Sequence, residues 1–299
     1  MISFQAEGRR AAARENQTMA QAGPRVQLSH VGLTYRGESD LVVALDDVSL
    51  SVAPGEAVAI IGPSGCGKSS TLHMLAGILK PTSGSVSIGG SPVDEPRRTT
   101  AFIPQGLGVL PWKTVAQNAA LGLTIQKAGA RESRERALEA LREVDLVDFA
   151  DAFPKELSGG MRQRLALARA IAMDADLLLM DEPLSAVDAL LRESLQDMLL
   201  DLWERRSQTQ ILVTHSIDEA VFLGQRIFVM TSRPGTVAAV VENPSMGEQG
   251  FRDSDAFAKT CVEVRAALFV GNGEEVRRLK RNVLQQRRRD LGAFWLRRL

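Results

Sequence analysis

A glycine-rich segment gives the clearest chemical signal in the sequence. Every fixed position of the phosphate-binding pattern G-x-x-x-x-G-K-[ST] is matched by the run Gly62, Pro63, Ser64, Gly65, Cys66, Gly67, Lys68 and Ser69. Glycines allow backbone N–H groups to turn inward around phosphate oxygens, and the start of a helix adds a favourable dipole. We therefore expect Lys68 to reach the β- and γ-phosphates of a nucleotide and Ser69 to hold Mg²⁺. Ser70, the next residue, is included in the expected nucleotide site.

Two neighbouring carboxylates form the second signal. Asp181 and Glu182 directly follow the apolar run Leu177–Met180, which is typical of a buried strand whose carboxyl end meets a ligand. Asp181 is expected to reach the magnesium ion through its water shell, and Glu182 to orient and polarise an attacking water molecule. Taken alone, the pair could be a solvated acidic turn. Beside a phosphate loop, the catalytic interpretation is favoured.

Strand-like and helix-like patterns alternate along the chain, and these elements must position the polar groups. Val58–Ile61, Leu177–Met180 and Ile211–Val213 are continuous apolar runs, as expected of buried parallel strands. Helices are predicted over Ser69–Leu79 and Leu165–Met173. Alternating strands and helices predict an α/β fold around a mostly parallel sheet.

The remaining patterns indicate how the chain is divided. A charged, amphipathic helical pattern runs over Ala128–Leu157, and the helical region near 107–165 looks inserted between two parts of the sheet. The last part of the chain contains one helix-like pattern, Ala256–Phe269. The predicted divisions are a disordered tail over 1–23, a domain over 24–242 and a helical tail over 243–299.

The bulk composition narrows the class of protein. The chain has 299 residues, with 36 Lys and Arg against 36 Asp and Glu, and a balanced charge argues against a protein that coats nucleic acid. Its two cysteines are far apart, so a disulfide framework is not expected and a reducing cytosol fits. No apolar run reaches the roughly 20 residues needed to cross a bilayer, and the N-terminus lacks the apolar region of a secretory signal. Translation could start at Met1 or at Met19.

The segment Leu157–Arg164 distinguishes among the many ATPases that share the first two signals. It resembles the LSGGQ signature of ABC-type nucleotide-binding domains, with Met161 in place of the glutamine. That replacement also occurs in importer ATPases similar to this chain, and it concerns only the contacts of the last position. Ser158, Gly159 and Gly160 bring a hydroxyl and backbone N–H groups to a helix start, which makes a second anion site. In the ABC family each signature caps the ATP held by the other subunit, so the resemblance implies a dimer.

Other positions of the family pattern follow in order over residues 26–242. The resemblance assigns Tyr35 to stacking on adenine, and Gln105 to contact with magnesium and the γ-phosphate. It assigns Asp188 to the D-loop, here Ser-Ala-Val-Asp instead of Ser-Ala-Leu-Asp, and His215 to the switch that holds the γ-phosphate. Each has a structural alternative, since strand-edge tyrosines, surface glutamines and histidines at strand ends are common. The resemblance implies a P-loop NTPase fold of the ABC ATPase type, in which an antiparallel β subdomain and an inserted helical subdomain flank the core sheet.

Further segments are similar to one branch of this family. Val109–Val115 and the residues shortly after it resemble importer ATPases for nitrate, sulfonates and taurine. Val213–Ala220 and Ser232–Gly235 look like the same branch. Two interpretations of Trp112 stay open: with Leu110 it could form an apolar patch that grips a membrane partner, or it could pack inside the helical insertion.

The resemblance implies an ATP-hydrolysing subunit that uses ATP and Mg²⁺ to energise uptake of a small solute, with Glu182 and His215 as its catalytic residues. Its expected partners are a second ATP-binding subunit, most simply an identical one, transmembrane permease subunits and, indirectly, a solute-binding protein. Nucleic acid is not expected. Such a subunit lies peripherally on the cytoplasmic face of the inner (cell) membrane.

Two other functions are alternatives to this one. The first is a soluble ABC-type ATPase that acts in nucleic-acid or translation processes; such proteins usually carry long coiled-coil insertions, zinc modules or two cassettes. The second is a non-hydrolysing regulatory subunit, which the intact Lys68 and Glu182 disfavour.

Two features stand outside the family pattern. Cys66 could merely fill a variable loop position, or its place at a helix start could lower its pKa and make it reactive. The basic segment Arg277–Leu299, with Phe294 and Trp295 near its end, could be a solvated helix or could contact anionic lipid.

Overall fold

A computed structural model describes residues 22–36, 41–185 and 187–271 of the chain. The expected disordered tail over 1–23 lies outside the described residues except for Ala22 and Gly23, and the basic segment Arg277–Leu299 lies outside them entirely.

The strands of the described ranges, in chain order, are β1 (Val26–Arg36), β2 (Leu41–Val52), β3 (Ala57–Ile61), β4 (Ser83–Ile88), β5 (Ser91–Pro92), β6 (Thr100–Ile103), β7 (Leu177–Asp181), β8 (Thr209–Thr214), β9 (Arg226–Met230) and β10 (Val237–Glu242). The helices of the same ranges are α1 (Lys68–Leu75), α2 (Val115–Ala119), α3 (Leu121–Ile125), α4 (Ala130–Glu143), α5 (Gly159–Ala172), α6 (Ala189–Arg206), α7 (Ile217–Leu223) and α8 (Asp255–Gly271). Short 3-10 turns lie at Val147–Phe149, Pro154–Glu156 and Phe251–Asp253.

The core sheet has six strands in the order β10-β9-β3-β8-β7-β6. Every neighbouring pair is parallel except β10 with β9. The three apolar runs noted in the sequence become the central strands β3, β8 and β7, and all their residues are buried. The predicted α/β fold with a mostly parallel sheet is therefore confirmed.

Side chains of β3 alternate between two hydrophobic cores, as the two-residue period of a strand requires. Ala59 and Ile61 belong to the core that the helical insertion covers. Val58 and Ile60 belong to the core shared with a second sheet. That second sheet is antiparallel, with the order β2-β1-β4-β5, which confirms the expected antiparallel subdomain.

The helices α2, α3, α4 and α5 lie between β6 and β7 in the chain, which confirms a helical insertion. The predicted helical pattern over 128–157 was wrong in its extent, because α4 ends at Glu143. Asp145 has a positive φ of 55°, a backbone conformation that a helix does not contain. Leu146 still packs into the core, but from a loop.

Helix α1 is also shorter than the predicted span, and ends at Leu75 instead of Leu79. Gly77 takes a left-handed φ of 72°, and a Cβ added there would lie 2.4 Å from the carbonyl oxygen of Glu95. Only glycine fits this turn, and it ends the helix. Helix α5 begins at Gly159, where the side chain of Ser158 caps its first turn, so the apolar pattern Leu165–Met173 covers only its later part.

The C-terminal helix α8 packs on α7, β9 and β10 through buried residues such as Cys261 and Val264. Phe251, in the turn before it, meets Phe257 edge to face with ring centroids 5.4 Å apart. Of the helices in the described ranges, none combines the length and the apolar character that crossing a membrane requires.

Candidate functional site

The loop between β3 and α1 carries the glycine-rich motif. Gly67 immediately precedes the helix with a φ of 100°, and a Cβ at this position would lie 2.3 Å from Cδ2 of Leu45. Gly65 also has a positive φ, of 76°. Both glycines are thus required by backbone conformation, and the loop curls at the N-terminal end of α1, where peptide N–H groups favour an anion.

Lys68 places a buried positive charge against this loop. Its Nζ donates to the carbonyl oxygens of Gly62, at 2.8 Å, and Pro63, at 3.0 Å. The side chain is almost fully buried, so its ammonium is held in place by the loop backbone. The loop therefore combines a fixed cation with glycine-rich backbone at a helix start, an arrangement that favours a bound anion.

Ser69 and Asp181 bring two side-chain oxygen groups together beside the loop. The Ser69 hydroxyl donates to Asp181 Oδ1 at 3.1 Å, which connects the first turn of α1 to the carboxyl end of β7. Burial raises the pKa of the Asp181 carboxyl, although the hydrogen bond from Ser69 acts in the opposite direction. A hydroxyl and a carboxylate fit Mg²⁺, which takes few protein oxygens and completes its shell with waters and phosphate oxygens.

The carboxylate of Glu182 is held between two polar side chains. Gln105 donates from Nε2 to Glu182 Oε2 at 3.2 Å, and His215 Nδ1 lies 3.3 Å from the other oxygen, Oε1. The residue itself takes a left-handed φ of 48°, while its N–H donates to the carbonyl oxygen of Val213 at 2.9 Å. Strained backbone of this kind in a non-glycine residue is concentrated at functional sites.

These contacts bring together residues from four strand ends, those of β3, β6, β7 and β8. In an open parallel sheet the ligand crevice lies outside the carboxyl ends of the strands. Lys68, Ser69, Gln105, Asp181, Glu182 and His215 all lie at that edge, since each follows or ends one of these strands.

Tyr35 approaches the same region from the antiparallel sheet. Its hydroxyl lies 3.0 Å from the hydroxyl oxygen of Ser70, and 43% of the residue is exposed. The ring is therefore accessible beside the first turn of α1. Its stacking on adenine stays a prediction.

The signature and the D-loop form a second group of predicted residues. Ser158 Oγ accepts from the N–H of Met161 at 3.2 Å, and Asp188 Oδ1 accepts from the N–H of Leu191 at 3.0 Å, so each caps its own helix. A Cβ on Gly160 would lie 2.1 Å from Cδ2 of Leu191. Packing against α6 is thus a reason for glycine here, apart from any ligand. Ala186 of the D-loop lies outside the described residues.

The reactive-thiol interpretation of Cys66 is wrong. The side chain is fully buried, and burial raises the pKa of its thiol, although the charge of Lys68 acts to lower it. A Cβ on Gly62 would lie 2.9 Å from its sulfur, which shows how closely the thiol is enclosed. Cys66 therefore packs into the core under the loop.

The packed interpretation of Trp112 is also wrong, because 70% of this residue is exposed. Hydrogen bonds from buried Asn118 fix the backbone of the loop that carries Trp112. Asn118 Nδ2 donates to the carbonyl oxygens of Leu110 and Lys113, both at 3.0 Å, and Oδ1 accepts from the N–H of Leu110 at 2.8 Å. The fold thus presents an indole to the exterior on an ordered loop.

Glu219, which the sequence analysis did not single out, is a buried carboxylate close to the site. Its carboxylate accepts a hydrogen bond from the Thr214 hydroxyl, next to His215, while its other oxygen has no partner among the described residues. Burial raises the pKa of Glu219. The only sequence signal was an acidic residue in the first turn after the strand-end histidine.

The model of a family described as ABC transporter matches residues 45–185. A protein of Brucella abortus that is named for ATP binding is 43% identical over 248 residues, covering 82% of this chain and 94% of that protein. A taurine import ATP-binding protein of Rhizobium johnstonii is 43% identical over 234 residues, covering 76% of this chain and 89% of that protein. The corresponding protein of Pelagibacter ubique is 41% identical and covers 81% of this chain and 93% of that protein.

Solved structures agree with the sequence relatives. A dimeric ATP-binding cassette in a post-hydrolysis state, bound to ADP and Pi, superposes with a TM-score of 0.66 at 34% identity. The match covers 73% of this chain and 98% of that cassette. A dimeric structure described as a bacterial ABC transporter cassette matches equally well.

Proposed function

The chain belongs to the ABC transporter family and is an ATP hydrolase, and we propose that it is the ATP-hydrolysing subunit of an importer for a small solute of the taurine, sulfonate or nitrate kind. Relatives named as taurine import ATP-binding proteins support this choice of branch. The solute itself is recognised elsewhere, by the permease and by a solute-binding protein.

The observation that carries the proposal is the arrangement around Glu182. Its carboxylate meets Gln105 on one side and His215 on the other, while Ser69 meets Asp181 beside the buried Lys68. These contacts connect the glutamine loop, the switch histidine, the acidic pair and the phosphate loop. A structural role for any one residue would not require all of them at one edge of the sheet.

The proposed hydrolysis depends mainly on position and charge. Lys68 and the loop N–H groups bind the β- and γ-phosphates, and Glu182 accepts a proton from the water that attacks the γ-phosphorus. His215 Nδ1 lies 3.3 Å from that carboxylate and would orient it, and a neutral imidazole there could also hydrogen-bond the γ-phosphate. Ser69 and Asp181 would hold Mg²⁺, with Gln105 near its water shell. When bound, the ion neutralises charge that develops on the phosphate oxygens.

A dimer supplies the rest of each site. Ser158, Gly159 and Gly160 lie at the N-terminal end of α5, and in the proposed dimer this end caps the nucleotide held by the other copy. The dimeric form of the related cassettes supports that assembly. Contacts that only ATP supplies would drive closure, which is the condition for a ligand-driven switch.

The permease is proposed to dock beside the glutamine loop. A cleft of about 410 Å³ lies between β6, α3 and α5, and its lining is mostly apolar, with Phe102, Ile125 and Met173 among its residues. Arg169, at its wall, donates to the carbonyl oxygen of Gly108 at 2.7 Å and so connects α5 to the segment that follows Gln105. Trp112 lies on the exterior near the other end of that segment. A cytoplasmic segment of the permease would cover this apolar surface on the cytoplasmic face of the membrane.

Uptake measurements test the proposal directly. Cells that lack the chain are complemented with the wild type or with Lys68→Ala, and uptake of labelled taurine, other sulfonates and nitrate is measured. The proposal expects one of these solutes to enter only with the wild type. Suppose that the purified wild type hydrolyses ATP but that cells complemented with it take up none of these solutes. The importer assignment to this branch is then wrong.

A further inference from the structure

The turn Ser232–Gly235 joins β9 to β10 and lies directly against the phosphate loop. The N–H of Gly235 donates to the carbonyl oxygen of Ala44 at 2.9 Å, and its own carbonyl accepts from the N–H of Asp46 at 3.0 Å. A Cβ on Gly235 would lie 1.9 Å from the carbonyl oxygen of Cys66, so the two backbones are in contact. None of the roles described above uses this turn.

Arg233, on the same turn, binds the backbone of the phosphate loop. Both its Nε and its Nη2 donate to the carbonyl oxygen of Gly65, each at 3.2 Å. In a trans peptide the C=O and the following N–H point in opposite directions. When the Gly65 carbonyl is held toward Arg233, the Cys66 N–H is directed to the other side, into the loop. That N–H donates to the carbonyl oxygen of Pro63 at 3.4 Å, the same oxygen that accepts from Lys68 Nζ at 3.0 Å, so it lies on the side of the loop that faces Lys68.

We propose that Arg233 is a positioning residue of the ATP site, which holds the Gly65–Cys66 peptide with its N–H directed toward the bound phosphates. A cationic donor on a carbonyl also polarises the peptide and strengthens its N–H as a donor. Two nitrogens of a planar guanidinium share one acceptor here, a geometry that lysine does not reproduce. The inference rests on the proposed function, because it takes the Gly62–Ser69 loop to be the phosphate site.

The turn does not depend on Arg233 for its own shape. Thr231 closes it: the hydroxyl donates to the carbonyl oxygen of Pro234 at 3.2 Å, and the N–H of Thr236 donates to the Thr231 hydroxyl oxygen at 2.9 Å. The Arg233 side chain is exposed, so its truncation leaves no buried group without a partner. Replacing it should therefore free the Gly65 carbonyl while the fold stays intact.

The experiment compares the full-length wild type with Arg233→Ala and Arg233→Lys. Arg131→Ala is the control, since the Arg131 side chain is 92% exposed and pairs with Glu135 on the surface of α4, away from the loop. We expect Arg233→Ala to raise the Kd for ATP and the KM by roughly three- to tenfold. The value of kcat should stay within about twofold, because Glu182 and His215 are not touched. Arg233→Lys should fall between the wild type and Arg233→Ala.

Two further measurements separate the inference from its alternatives. The Tm of Arg233→Ala without nucleotide should equal that of the wild type, while the rise in Tm on adding ATP should be smaller. An unchanged KM in Arg233→Ala, or a lower Tm with kcat and KM both impaired, would overturn the positioning role. Lys68→Ala tests the premise separately: if that variant binds ATP like the wild type, the loop assignment fails, whatever Arg233 does.

Discussion

Replacement of Glu182 by glutamine removes a charge without changing the size of the side chain. In the wild type one carboxylate oxygen accepts from Gln105 at 3.2 Å and the other faces His215 at 3.3 Å. The amide of Glu182→Gln keeps one of these acceptors and loses the other. It also cannot accept a proton from water, so loss of general-base catalysis should lower kcat by about 10²- to 10⁴-fold. That range corresponds to about 2.7 to 5.5 kcal/mol in the activation free energy.

Binding of ATP should survive the same change. Lys68 donates to loop carbonyls and Ser69 to Asp181, and neither bond includes Glu182. Glu182→Gln should therefore bind ATP with wild-type affinity and accumulate as a closed dimer. Phosphate release in a single turnover gives the rate, and light scattering with and without ATP gives the dimer fraction. Glu135→Gln is the matched control, because Glu135 lies on α4 with 58% of its side chain exposed.

Two results would refute this reasoning. A kcat within about twofold of the wild type would remove Glu182 from the chemical step. A large loss of ATP affinity would show that the carboxylate acts mainly on the binding of the nucleotide.

Three other changes test other parts of the account. Trp112→Ala should abolish ATP-dependent uptake in proteoliposomes but leave the basal ATPase rate unchanged, because the indole is 70% exposed and outside the site; full uptake would remove its contact role. Glu219→Gln should gain stability relative to the wild type as the pH rises above the ordinary carboxyl value of about 4.3. Burial raises the pKa of Glu219 in the folded chain. At pH values between the unfolded pKa and this raised pKa, the folded wild type binds more protons than the unfolded chain, so its stability falls as the pH rises. Urea unfolding from about pH 4.5 to 8 measures the difference, and a constant difference would contradict it. Cys66 should react with iodoacetamide at least about tenfold more slowly in the folded chain than in urea, since it is buried with a raised pKa; equal rates would show an exposed thiol.

The parts of the fold that could be predicted are those with a strong local pattern. Continuous apolar runs predicted β3, β7 and β8, because a strand buried on both faces leaves no polar alternation. The order of the motifs along the chain predicted which side chains would follow the strand ends. Strand ends in a parallel sheet meet at one edge, so the contacts of Glu182 with Gln105 and His215 accord with that order.

Helix ends were predicted less well, because single residues in left-handed conformations set them. Asp145, with a φ of 55°, prevents α4 from continuing beyond Glu143. In the sequence, aspartate is only a weak signal for a left-handed conformation. Gly77 ends α1 in a left-handed turn, where a Cβ would lie 2.4 Å from the carbonyl oxygen of Glu95, a residue distant in sequence. No local pattern contains such a contact.

Burial of individual side chains also depended on distant partners. Cys66 is enclosed by Gly62 and by its neighbours on the core sheet, so the helix start that favours a low thiol pKa is outweighed by desolvation. Trp112 is exposed on a loop whose flanking residues Leu110 and Lys113 are bound by the side chain of Asn118. The role proposed for Arg233 likewise arises from a contact with Gly65, at the opposite end of the domain sequence.

The central claim is that this ATP hydrolase works on a membrane permease, and one measurement tests it most directly. The tagged full-length chain is expressed in its own cells, the membranes are solubilised in mild detergent, and the proteins that remain bound are identified and quantified by mass spectrometry. The account predicts that a membrane protein with several spanning segments is recovered in an amount nearly equal to that of the chain. Less of this protein should be recovered with Trp112→Ala. Recovery of soluble proteins, ribosomes or DNA-bound factors alone would leave the ATPase chemistry standing and contradict the transport function.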